Sequence, residues 1–261
     1  MKVWVTNLLS LIKVELIKIK KLKTWRILMV SFLLMIILSI LELKRLSDIG
    51  LDYITVYNMF FEKNATILLP LSIAIFSLSN TCNEFKNKSI KNLIMSKYSR
   101  TNIILSKYIA ILISSILAYI ITIVLYSFIA YLFSDKSQIY IRYEPINGVK
   151  LILHLIELNF MNLIYIASIV AFSFLLGVVI KKQGISILIF IVAFNFISIF
   201  IMALSYAGST LGSTLFIKFS PSEFIGVNGY YFTKFIRLLP CISNIFLFLA
   251  ISDFSFKKYQ Y

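Results

Sequence analysis

The sequence predicts an all-α integral membrane protein: six transmembrane helices, an interfacial amphipathic helix ahead of the first, and a short cytoplasmic helix between the second and third. Three observations predict it. Of 261 residues, 60% are hydrophobic and only 14% charged, and the mean hydropathy of +0.91 is too high for one soluble core to hide. Apolar runs of near-membrane length recur along the whole chain, which reads as a single transmembrane domain over residues 1–261. The basic residues gather in a few short blocks between those runs.

The first element spans residues 4–24. At 100° per residue, Trp4, Val5, Leu8, Leu9, Ile12, Leu16, Ile19 and Leu22 share one sector, while Lys13, Lys18, Lys20 and Lys21 fall opposite. That pattern predicts an elbow helix lying in the headgroup layer with its lysines toward anionic lipid. Glu15 sits at the edge of the apolar sector, and Lys23 intrudes at the last turn, so the helix ends or bends before Thr24. The polar, Lys-bearing start and the lack of a small-residue cleavage site predict that this segment is retained rather than removed as a signal peptide.

About 20 apolar residues cross a hydrocarbon core, fewer where flanking side chains snorkel. Spans are therefore predicted at about 26–42, 65–82, 106–133, 156–180, 184–206 and 236–253. Lys218, Pro221, Glu223 and Lys234 interrupt 207–235, which reads as an extracellular excursion or a re-entrant element. This layout puts 17 of the 26 Lys and Arg residues on one side: the N-terminal block, Lys86 to Lys107, Lys181 with Lys182, and Lys257 with Lys258. Most acids fall on the other side. By the positive-inside rule, both termini and the basic insert face the cytoplasm.

The insert, NEFKNKSIKNLIMSKYSRTNIILSK from Asn83 to Lys107, carries six Lys or Arg residues. Residues 84–96 have good helix propensity, with Phe85, Ile90, Leu93 and Ile94 as apolar contacts and Lys86, Lys88 and Lys91 around them. Ser96 to Thr101 reads as a turn in which Ser99 or Thr101 caps the next helix. A merely solvated loop seldom exposes Leu93-Ile94-Met95, so the insert predicts a docking helix for a protein groove.

This order of parts resembles the membrane subunit of a type-2 ATP-binding-cassette (ABC) exporter: elbow helix, short first span, second span, Glu-initiated coupling helix, Ser-Arg turn, then a Lys opening the third span. In that family the coupling segment often reads E-x-x-x-G-T-x-K-x-L-L-x-x-P-x-S-R-x-x-x-x-x-x-K. Glu84, Lys91, Leu93, Ile94, Ser99, Arg100 and Lys107 occupy matching places. Lys88-Ser89 replaces the frequent Gly-Thr, and Lys97 the frequent Pro. In size and character the chain is most similar to small Gram-positive permeases for antimicrobial peptides: lantibiotic-immunity, bacitracin-resistance and phenol-soluble-modulin exporters. The resemblance implies a bacterial cytoplasmic-membrane permease that exports an amphipathic or hydrophobic substrate, an antimicrobial or toxin-like peptide. It also implies pairing with a second permease copy or homologous permease. Two cytoplasmic ATPases would dock on the coupling helices and hold ATP and Mg, with no cofactor on this chain.

No G-x-x-x-x-G-K-[ST] motif occurs, and GSTLGST from Gly208 lacks the lysine, so ATP must be bound elsewhere. The formal charge of +15 does not indicate nucleic acid, because the aromatics lie in membrane-length runs rather than in a basic groove. Cys82 and Cys241 lack metal-ligand spacing and read as buried free thiols, with no metal site. One histidine, no acid pair in a polar pocket and no nucleophile elbow argue against an enzyme. His154 and Glu157, at i and i+3, are the ionisable candidates on a substrate path. They would serve the alternative reading, an ion-coupled secondary transporter, although no internal repeat supports that. Asn159, Asn162 and Asn195 are polar within apolar runs and read more readily as interhelical hydrogen bonders than as substrate ligands. Gly208 and Gly212 offer a small-residue face for helix packing.

Overall fold

The structure, a computed structural model, describes residues 2–46, 53, 56–57, 60, 64, 68–86, 98–134, 140–141, 144–145, 148–193 and 234–258. The described residues are helical apart from one small hairpin and short links. Helix α1 is Lys2–Lys21, α2 Lys23–Leu46, α3 Leu68–Lys86 and α4 Arg100–Phe133. Strands β1 (Tyr140–Ile141) and β2 (Glu144–Pro145) pair antiparallel. They precede α5 (Gly148–Ile180), α6 (Gln183–Ala193) and α7 (Lys234–Lys257). Residues 87–97 and 194–233 lie outside the described residues. With them lie Lys88, Lys91, Leu93 and Ile94, Asn195, Gly208 and Gly212, and most of the predicted coupling helix.

Among the described residues, Lys23–Lys44, Arg100–Phe133 and Leu158–Ile180 are long and apolar enough to cross a membrane. The 34 residues of α4 rise about 51 Å, well beyond a hydrocarbon core of about 30 Å. Helix α3 falls short of that apolarity because Ser72, Ser77, Ser79, Asn80 and Thr81 dilute it and Asn83-Glu84-Phe85-Lys86 ends it. Pro70 sits in its first turn, where a missing N–H costs nothing. Glu84 lies in the last described turn of α3, and residues 87–96 of the predicted coupling helix lie outside the described residues.

Helix α5 packs most extensively on α7 and α3, and α1 packs along α4. The polarity of α4 is inside out. Ser106, Lys107, Ser114, Ser115 and Thr122 are buried, whereas Leu117, Ile120, Val124, Phe128 and Leu132 are exposed. Helix α2 likewise exposes Ile27, Val30, Leu34, Ile37 and Leu41. Faces this apolar suit lipid, which solvates leucine as well as a protein interior does. Several buried hydroxyls are satisfied locally: Ser114, Ser115 and Thr122 each donate to the carbonyl four residues back, as do Thr81 and Ser173.

Two close features set the inner geometry. A Cβ on Gly177 would lie 2.9 Å from the Thr81 side chain, so α3 and α5 approach where only glycine fits. Lys181, with φ of 62°, is left-handed; its N–H bonds Gly177 O, closing α5 and turning the chain into α6.

Candidate functional site

The charged end of the bundle gathers the start of α4 and the ends of α1, α3, α5 and α7. Ser99, rather than Thr101, caps α4, its hydroxyl accepting from the Asn102 N–H at 3.2 Å. About two turns into the helix, Lys107 points inward and is buried. Its ammonium donates to Glu15 Oε1 at 3.0 Å and also to Glu84 Oε2. Lys18 bonds the same Glu15 oxygen at 2.9 Å and lies 3.9 Å from Glu84 Oε1. Two acids and two bases thus alternate across three helices, with side-chain exposures of 7% at Glu15, 8% at Lys107, 21% at Glu84 and 42% at Lys18.

Helix α1 buries Leu11, Ile12, Glu15 and Ile19 as one face and leaves Leu9, Val14 and Ile17 exposed. Glu15 is therefore central to the packed face, not at the margin of an apolar sector. Burial alone would raise its carboxyl above the ordinary range. The Lys107 ammonium, with the hydrogen bond and charge of Lys18, outweighs burial and holds it below that range. Leu22 breaks the helix between α1 and α2, its N–H bonding Ile19 O at 3.0 Å. A cavity of about 350 Å³ opens beside this bend, reaching Lys18, Lys107 and Glu84.

A second layer of contacts surrounds the ion cluster. Arg100 Nη1 donates to Lys257 O at 2.8 Å, seating a guanidinium on the negative end of α7. The Phe85 ring meets Phe256 edge to face at 6.4 Å, and Lys181 Nζ lies 5.9 Å from the Phe85 centroid. Gln183 Nε2 donates to Ser79 Oγ at 2.6 Å. Three of the sequence candidates, Glu84, Ser99 and Arg100, thus come together at one end of the molecule. Glu15 and Lys18 were missed as site residues; the available signal was a lone carboxylate on a lysine-rich helix, three residues before a lysine.

Among the described residues, the Asn159 candidate lies deeper in the bundle. Asn159 Oδ1 accepts from Tyr119 Oη at 2.9 Å, and its Nδ2 donates to Leu155 O at 2.7 Å and to Tyr57 Oη at 2.9 Å. Asn162 Nδ2 donates to Tyr119 Oη at 3.0 Å, and Tyr126 Oη to Val56 O at 2.9 Å. This network ties α4, α5 and residues 56–57 together. His154 and Glu157 lie in the first half of α5, toward its Gly148 end, and their side chains lie outside the described residues.

No curated protein matches the chain. The family described as ABC-2 family transporter protein matches residues 11–196, well over half the chain and every residue of the ion cluster. In that family the chain is a membrane subunit, and transport implies a partner ATPase. The apolar outer faces, the buried charges where α1, α3 and α4 converge, and this match together make the chain a member of the ABC-2 family of transporter membrane proteins.

Proposed function

We propose that the chain is the permease of an ABC exporter. It spans the cytoplasmic membrane six times with both termini inside, pairs with a second permease, and takes its motion from cytoplasmic ATPases seated on residues 84–96. Its cargo is an amphipathic or hydrophobic molecule, an antimicrobial or toxin-like peptide moved across or out of the membrane. The observation that carries this reading is Lys107. It ties the last turn of α3, where the docking segment begins, to Glu15 on the elbow helix and to the opening of the third span. A push on the docking segment therefore reaches the elbow and a span through three charged side chains rather than through a flexible loop. The outward apolar faces of α2 and α4 support a cargo that travels along a lipid boundary.

The test is to copurify the chain with its ATPase and to reverse Lys91 and Arg100 to Glu. Loss of the complex, or of cargo-stimulated ATPase activity with membrane insertion retained, is the expected result. Unchanged assembly and coupling would overturn the role given to the insert. Transport that needs ATP but survives His154→Gln and Glu157→Gln separates this reading from an ion-coupled one.

A further inference from the structure

The geometry points to a binding site for the phosphate headgroup of an anionic lipid in the 350 Å³ cavity beside the Leu22 bend. The volume falls within the usual range of ligand pockets, about 300 to 1,000 Å³. Lys18, Lys21 and Lys107 line it together with Glu15 and Glu84. Lys107 and Lys18 spend their charge on those acids. Lys21 makes no ion pair among the described residues, so the pocket keeps one positive charge in excess.

The neutral lining matches the rest of such a ligand. Asn80 is already engaged: its Oδ1 accepts from Thr24 and its Nδ2 donates to Phe76 O. Asn83 is the second amide on the wall. Ile19, Leu22, Ile111 and Phe174 form an apolar side, which a glycerol ester and its first methylenes would cover and which a free phosphate ion would leave wet. The bend also lies among Lys18, Lys20, Lys21 and Lys23, a concentration of cations that anionic headgroups attract. A lipid held there would wedge the elbow against α3 and α4. The site shares Glu15, Glu84 and Lys107 with the proposed coupling cluster, but it is measured without nucleotide or ATPase, so its failure is distinguishable from failure of the docking reading.

The experiment uses the full chain in a neutral detergent, with short-chain phosphatidylglycerol, short-chain phosphatidylcholine and inorganic phosphate as probes. Thermal shift and native mass spectrometry of retained lipid are the readouts. Phosphatidylglycerol should raise the melting temperature and stay bound, and phosphatidylcholine should do so far less. Lys21→Gln, at an exposed position, should weaken the phosphatidylglycerol response about fivefold; Lys18→Gln is the second variant. An equal response to inorganic phosphate would keep the anion site and overturn the lipid as its source. Equal responses to both lipids, or no change in either variant, would overturn the site.

Discussion

Replacing Lys107 with Met keeps the stem and deletes the charge that the buried Glu15 and the half-buried Glu84 carboxylates share. At 3.0 Å from Glu15, a unit charge in an effective dielectric near 20 contributes a gross attraction of about 5.5 kcal/mol. Desolvation of the ammonium offsets part of that, while the acids left behind lose their cation. Breaking one partner of a buried pair costs about 3–5 kcal/mol. Lys18 stays on Glu15 at 2.9 Å, which places the expected loss near the low end, about 3 kcal/mol. Reversible unfolding in mixed micelles measures it. The double variant with Glu84→Gln should recover part of the loss, because one orphaned carboxylate is then removed, giving a coupling energy of about 1–3 kcal/mol. A Lys107→Met protein within about 0.5 kcal/mol of the parent, with no coupling to Glu84, would refute the reasoning.

Four further outcomes follow from the same structure. Gly177→Ala sets a methyl 2.9 Å from Thr81, so the α3–α5 contact should part at a cost of about 1–3 kcal/mol, read as a lower melting temperature. Ser99→Ala removes the α4 cap and should cost about 1 kcal/mol, visible as faster amide exchange over residues 100–103. Asn159→Leu strips partners from Tyr57 and Tyr119 and should cost about 1–3 kcal/mol, with Tyr119→Phe relieving part of it in the double variant. For pH, the Glu15 carboxyl is held below its ordinary range. Its contribution is complete above that range and is lost as pH falls through the lowered value. Melting temperature against pH should therefore drop more steeply at acid pH in the parent than in Glu15→Gln.

Hydropathy made the apolar helices legible, because a run such as Tyr108 to Phe133 can do little else in water or lipid. Ser99 was legible as a cap because it precedes a helix-forming run without competing breakers. The charge cluster was not. Glu15 and Lys107 are 92 residues apart, and nothing local announces which lysine of many a buried carboxylate will meet. Gly177 was equally silent, since its close approach depends on α5 lying against α3, a fact of packing alone. Lys181 was missed for the opposite reason: the usual sign of a left-handed helix end is glycine, and a lysine hides it. The hairpin at 140–145 is too short to show an alternating pattern.

That lysine has a consequence for how the bend between α5 and α6 behaves. A left-handed residue with a side chain gives up about 1–2 kcal/mol of backbone ease, which glycine at this spot would recover. In return the same residue both turns the chain and carries a cation to the ring of Phe85, so the corner is pinned on its far side instead of swinging. Movement there must be concerted with α3, a stiff crank where glycine would have left a slack joint.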